Sequence, residues 1–179
     1  MSRIGKNPII IPENVTVLIT GACQICVKGP LGELTRVFND KVSLSCDEKF
    51  VKVVPNSKDT SAIAMWGTAR SIINSMVLGV SAGFSTEVEI VGVGFRGNLE
   101  ENFINLYLGK SHSTKIEIPS DIKISFLKPN LISVNSCNKE SLGRFISLLK
   151  LQRLPEPYKG KGIFIKGEYL ELKKAKKAK

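Results

Sequence analysis

Histidine, tryptophan and acid are what this chain has little of: one His, one Trp, and 16 Asp or Glu against 26 Lys or Arg in 179 residues. A lone His112 cannot complete a metal site. With the carboxylates scattered on alternating faces and no strong nucleophile and base pairing, no acid–base constellation stands out. Four cysteines, Cys23, Cys26, Cys46 and Cys137, are too few and too irregular for a secreted disulfide scaffold, so a reducing interior is expected. No apolar run approaches the roughly 18 residues that would suggest a membrane span. The opening MSRIGKNPIIIPENV offers only Ile9-Ile10-Ile11 before Pro12, not the apolar core of a signal peptide, and the protein is expected to stay in the compartment where it is made. The chain nonetheless has the makings of a core. It is 42% hydrophobic and 23% charged, and long enough for one ordinary domain or two small ones.

The positive charge is unevenly placed. Residues 150 to 179 hold ten Lys or Arg against three Glu, so most of the formal net charge of +10 lies in the last sixth of the chain. Such lysines neutralise phosphates and release condensed counterions whatever the nucleic-acid sequence. In Tyr158-Lys159-Gly160-Lys161-Gly162 the glycines would let backbone N–H groups approach an anion, and Tyr158 offers a ring on which a base or sugar can pack. Lys173, Lys174, Lys176 and Lys177 extend the cationic run. The competing reading is a solvated tail after a terminal strand.

Self-comparison aligns residues 11 to 29 without gaps on residues 118 to 136. Ile11, Pro12, Val15, Val17, Ile19, Ile25 and Val27 meet Ile118, Pro119, Ile122, Ile124, Phe126, Ile132 and Val134. Each copy alternates apolar and polar residues, breaks, and alternates again, as a half-buried β-hairpin does. The offset implies two related domains. In the first half Ala62, Trp66, Ala69, Ile73, Met76 and Val80 recur at helical spacing, with Asn56, Ser57, Asp59 and Thr60 available as caps and Gly83 as a stop. In the second, Asn138 can cap a helix bearing Leu142, Phe145 and Leu149 that ends near Leu154, before Pro155. Trp66 and Met76 read as core, not as a ligand stripe. The fold expected is α+β: two similar domains, 1–83 and 84–179, each an antiparallel sheet packed with one main helix, plus a basic C-terminal tail.

Three constellations imitate chemistry. Gly92-Val93-Gly94-Phe95-Arg96-Gly97 matches a dinucleotide fingerprint, with Glu117 at a fitting distance. That fold needs a helix starting at the third glycine, whereas Asn98 to Asn102 reads as an acidic turn and Phe103 to Leu108 as a strand. The glycines then serve a bulge or a close backbone approach. Gly109-Lys110-Ser111 ends like a P-loop, but Ile104 stands where the first glycine belongs. Cys23 and Cys26 imitate a redox or zinc pair. If residues 22 to 28 form a strand, side chains three apart point to opposite faces and cannot share a metal. No catalytic residue, cofactor, metal or small-molecule substrate is expected.

The segment PEPYKGKGI at 155 to 163 resembles a hallmark of the bacterial and organellar ribosomal large-subunit protein L-six family. SRIGK at 2 to 6, PIIIP at 8 to 12, VKGPLGEL at 27 to 34, GTAR at 67 to 70, EIVGVGFRG at 89 to 97 and LGKSH at 108 to 112 follow the family's order. The resemblance implies two α+β domains arising from duplication and a structural protein of the ribosome. It would bind large-subunit ribosomal RNA near the sarcin–ricin region and stalk base, beside neighbouring ribosomal proteins and close to where translational GTPases land. A cytoplasmic ribosome is implied, or an organellar one. Carried over by motif, the RNA-binding positions are Tyr158, Lys159, Gly160, Lys161 and Gly162, with Lys110, Ser111 and His112 from LGKSH, and Arg96. Phe164 stands where the family often has Arg, which removes a bidentate phosphate contact there. A nucleotide-dependent enzyme and a metal or thiol module are the other two function classes; neither explains the tail and the repeat together.

Overall fold

The computed structural model describes residues 2–21, 23–47 and 49–174, and these divide into two compact units. The first runs through Gly83 and takes in Cys137–Lys139. The second comprises Phe84–Ser136 and the chain from Glu140 onward.

In the first unit the strands are β1 (Ile9–Ile10), β2 (Thr16–Thr20), β3 (Gln24–Gly29), β4 (Gly32–Val37), β5 (Val42–Cys46) and β6 (Phe50–Pro55), followed by helix α1 (Thr60–Ser81). They form two antiparallel sheets, ordered β1-β6-β5 and β2-β3-β4. Their apolar faces, with Ile9, Ile25, Val27, Val42, Val51 and Val53, close on Ala69, Ile73, Met76 and Val80 of α1. Trp66 lies against this core and its indole N–H donates to the Val53 carbonyl at 2.6 Å. Of the expected caps, Asp59 occupies the N-cap position but makes no side-chain bond to the helix. Its carboxylate accepts from Ser57 Oγ instead, while Asn56 Nδ2 donates to the Asp40 carbonyl. The helix stops where Gly83 turns to φ 76° and its N–H donates back to the Leu78 carbonyl.

The second unit comprises β7 (Phe84–Val91), β8 (Arg96–Glu100), β9 (Phe103–Tyr107), β10 (Thr114–Glu117), β11 (Ile122–Lys128), β12 (Leu131–Ser136), α2 (Lys139–Gln152) and β13 (Gly162–Ile165). Its sheets are ordered β10-β9-β8 and β11-β12-β7-β13. Leu142, Phe145, Ile146 and Leu149 of α2 are buried against them. The acidic stretch read as a turn is mostly strand. β8 continues to Glu100 and only Glu101-Asn102 turns, with Glu101 at φ 41°. A two-residue hairpin connection demands positive φ, which concentrates the turn in those two residues.

Element order shows how the units correspond. The sheet β1-β6-β5 matches β7-β12-β11, β2-β3-β4 matches β8-β9-β10, and α1 matches α2. Ile9 faces Val51 as Val88 faces Ile132, and all four are buried. This duplication is not the one that the aligned segments indicate. The hairpin of 11 to 29 is β2–β3, whereas that of 118 to 136 is β11–β12, which belongs to the other kind of sheet. The two hairpins share a register, Val17 opposite Val27 and Ile124 opposite Val134. Any hairpin with one buried face writes the same period-two pattern, so pattern alone cannot tell which hairpin it is.

Among the described residues β13 has no counterpart in the first unit. In the second it covers the edge of β7 that β1 leaves unpaired in the first, and the loop leading into it carries Tyr158.

Candidate nucleic-acid interface

Pro155 ends any continuation of α2, and the chain must then cross from the helix to the edge of β7. Ile163 N–H donates to the Arg153 carbonyl at 3.1 Å, Glu156 N–H to the Lys161 carbonyl at 2.8 Å, and Gly160 N–H to the Glu156 carbonyl at 2.9 Å. These bonds draw residues 156–161 into a closed loop whose turn, Pro157-Tyr158-Lys159, projects outward. Tyr158 is 55% exposed, and Lys159 is exposed beside it.

The two glycines act differently from the expected anion cradle. Gly160 adopts φ 65° and its N–H is already engaged by Glu156, so its contribution is the left-handed turn itself. Gly162 is buried at φ 151°, opposite Val91 in the sheet. A Cβ there would lie 2.7 Å from Pro155 Cα and 2.9 Å from the Leu154 carbonyl oxygen. Backbone packed on backbone, not an exposed N–H, is why residue 162 has no side chain.

Pairing of Gly162 with Val91 brings this loop beside the turn that follows β7. That turn is Gly92–Phe95, closed by Phe95 N–H donating to the Gly92 carbonyl at 3.3 Å. The next element is strand β8, where a dinucleotide site requires a helix N-terminus. The glycines instead make room for one ring: a Cβ on Gly92 would lie 2.4 Å from Phe95 Cδ2, and one on Gly109 2.9 Å from Phe95 Cε1. Gly109, at φ 71°, opens the loop between β9 and β10 that displays Lys110, Ser111 and His112, all exposed. Arg153 places its guanidinium 5.9 Å from the centroid of the same ring. Three loops, 92–95, 109–113 and 153–161, therefore meet around Phe95. Arg96 stands next to them, opposite Tyr107 in register and 5.0 Å from the centroid of its ring.

The chain after β13 returns to the same place. Lys173 N–H donates to the Pro157 carbonyl at 2.8 Å, and Leu172 Cδ2 would lie 3.4 Å from a Cβ on Gly160. Lys173 and Lys174, both exposed, thus join the loop; Lys176 and Lys177 lie outside the described residues.

Among the described residues, ion pairs join Lys28 to Glu33, Lys52 to Asp47, Lys115 to Glu100, Lys150 to Glu168 and Lys166 to Glu87, while Lys6, Lys58, Lys123 and Arg144 on other surfaces have no described carboxylate within 4.0 Å. None of Arg96, Lys110, Arg153, Lys159, Lys161, Lys173 and Lys174 has a described carboxylate within 4.0 Å. What sets these cations apart is that the three loops and the returning arm bring them together, which favours a polyanion. Sequence reasoning found most of these residues but missed Phe95, Tyr107 and Arg153, whose roles depend on loops meeting in space. The only trace of Phe95 in the sequence is its place inside the glycine run.

The cysteine pair occupies other ground. Cys23 lies in the turn before β3, not in a strand, because the ladder starts at Gln24. Its thiol faces Asp40 Oδ1 at 3.5 Å and the Val42 carbonyl at 3.7 Å. Cys26 points elsewhere, donating to Glu33 Oε1 at 2.9 Å. Both thiol pKa values are raised, that of Cys23 by burial and by Asp40, that of Cys26 by its bond to Glu33 and by burial. Thiols held protonated are poor ligands and poor nucleophiles. No group of three or more His, Cys, Asp or Glu among the described residues is placed to share a metal ion. Nor is any described helix long and apolar enough to cross a membrane.

A family model described as Ribosomal protein L6 matches residues 11–83 and again residues 91–164. The matches begin just ahead of β2 and at the end of β7, just ahead of β8, and they close after α1 and within β13. They thus pair the two units as the sheet order does.

Proposed function

We propose, on the premise that this chain belongs to the ribosomal protein L6 family, that the second domain holds ribosomal RNA on the loops gathered around Phe95. Members of that family are structural proteins of the large ribosomal subunit that bind its RNA, so the chain is a constituent of the ribosome and its role is structural. The RNA contacted lies near the sarcin–ricin region and stalk base; the surface supports the landing site of translational GTPases; and the ribosome is the cytoplasmic one of a bacterium or that of an organelle.

Convergence of cations on one end of the second domain supports this reading most. Lys159, Lys161, Lys173, Lys174, Lys110 and Arg96 would each take a phosphate, while Ser111 and His112 offer hydrogen bonds beside them. Tyr158 would pack on a base or sugar. Gly160 and Gly162 give the loop its shape, and Arg153 holds it against Phe95. Each phosphate neutralised adds about 0.7 to 0.9 to the slope of log affinity against log salt.

The experiment is hydrogen exchange of the full chain with and without large-subunit ribosomal RNA. Protection should appear in 92–96, 109–113, 155–162 and 172–174. If protection falls instead on the first domain, with these four segments unchanged, the assignment is wrong.

A further inference from the structure

After β13 the chain reverses at Ile165–Glu168, where Gly167 takes φ 89° and Glu168 N–H donates to the Ile165 carbonyl at 2.9 Å. Residues 169–174 then run back towards the Tyr158 loop without joining a sheet. An arm with no ladder needs another restraint, since each freely rotating residue resists ordering. Its far end is fixed by the bond from Lys173 N–H to Pro157 and by Leu172 beside Gly160. Its root is fixed by Glu168. Lys150, in the last turn of α2, donates to both carboxylate oxygens, at 2.6 and 2.8 Å, and Ile165 N–H donates to Oε2 at 3.2 Å. The adjoining Lys166 cannot compete for Glu168, being held by Glu87 at 2.5 Å.

We infer that Glu168 is a positioning residue for RNA binding: its pairing with Lys150 and the Ile165 amide latches the arm back across the 155–161 loop, so that Lys173 and Lys174 share one surface with Tyr158 and Lys159. The inference rests on the RNA-binding reading above. It assigns an acid inside a strongly basic segment a role that favours a polyanion. Glu168 is the hinge pin of the returning arm, and the lysines it positions lie on the far side of the turn. Without the latch the same lysines would have to be ordered at the moment of binding, which weakens the complex although no cation is lost.

Sign separates this from bulk electrostatics. Glu168→Ala raises the formal net charge of +10 by one, and by charge alone it should tighten binding to RNA. The latch requires the opposite: weaker binding by roughly threefold to tenfold at fixed salt, from the added ordering cost. The double variant Lys150→Glu with Glu168→Lys restores the ion pair with the charges exchanged, though not the acceptor for the Ile165 amide, and should recover part of the loss. Glu168→Gln keeps an acceptor for Ile165 but loses the ionic bond to Lys150, and should fall between.

The test uses the full chain, with large-subunit ribosomal RNA as the probe and the exchange rate of the Lys173 amide read in the free protein. Expected are faster Lys173 exchange and weaker RNA binding in Glu168→Ala, both partly reversed in the exchanged pair. Binding equal to or tighter than that of the unaltered chain overturns the latch, as does a Lys173 amide as protected as before. Failure of the unaltered chain to bind the RNA would instead sink the functional reading, and the Lys173 amide would still report whether Glu168 holds the arm.

Discussion

Gly162 is the position where the shape of the loop can be tested most sharply. Alanine there meets two penalties. The backbone sits at φ 151°, a region that essentially only glycine uses. The new Cβ would also stand 2.7 Å from Pro155 Cα, 2.9 Å from Pro155 N and 2.9 Å from the Leu154 carbonyl oxygen. All three neighbours are backbone atoms, which cannot swing aside as a side chain can. Backbone strain of about 1 to 3 kcal/mol and overpacking of similar size give a cost of roughly 2 to 6 kcal/mol. Gly160→Ala is the control. Its φ of 65° is the ordinary left-handed well, and its new Cβ would make only a 3.4 Å contact with Leu172 Cδ2. The cost there should be near 1 to 2 kcal/mol. Native-state hydrogen exchange can read both locally, at the Ile163 amide that donates to Arg153 and the Lys166 amide that donates to Glu87. Gly162→Ala should lower protection at both amides far more than Gly160→Ala. It should also weaken RNA binding without altering charge, because residue 162 can no longer fit between Pro155 and β7 and the loop is displaced. Equal losses in the two variants would refute the close backbone approach as the reason for glycine at 162.

Tyr158→Ala should weaken RNA binding by about 1 to 3 kcal/mol with little change in salt slope, whereas Lys159→Ala should lower the slope by about 0.7 to 0.9; titrations at several salt concentrations separate the two. Arg153→Ala removes the guanidinium beside Phe95 and should loosen the 155–161 loop, seen as faster exchange of the Gly160 amide, with the first domain unaffected. Replacing Cys23 by Ser and Cys26 by Ala should leave RNA binding intact and cost modest stability through the buried Cys26; loss of one equivalent of zinc from the double variant would contradict it. The Lys150 ammonium and the Ile165 amide hold the Glu168 carboxyl below the ordinary glutamate range. A lowered pKa means the latch is complete above the usual value near 4.3 and is lost only as pH falls through the lower folded value. The Lys173 amide shift should therefore stay flat through pH 5 and move only below the range in which a free glutamate titrates.

What could be read directly from the chain was whatever depends on neighbours in sequence. Helical spacing from Ala62 to Val80, the stop at Gly83 and the break at Pro155 are local, and each appears in the structure at the expected place. The family motifs and the concentration of lysine after residue 150 are likewise properties of the string. Duplication was legible, but its register was not. The segments 11–29 and 118–136 have the same alternation because each has one buried face, and only the sheet orders β1-β6-β5 and β7-β12-β11 show that β2–β3 answers to β8–β9. The extent of the turn at Glu101-Asn102 is hidden in the sequence for a related reason, since Asn98 to Glu100 belong to β8. Polar residues on the exposed face of β8 look like loop until their partners on β9 are known. The interface divides in the same way. Tyr158, Lys159 and Lys161 announce themselves by composition. That Arg96, Lys110 and Arg153 stand beside them depends on Gly162 pairing with Val91 and on one phenylalanine ring filling the space that Gly92 and Gly109 leave empty. Alternation and charge are fixed by covalent order, whereas which loops share an end of a domain is fixed by strand pairing across dozens of residues, and only the folded chain decides that.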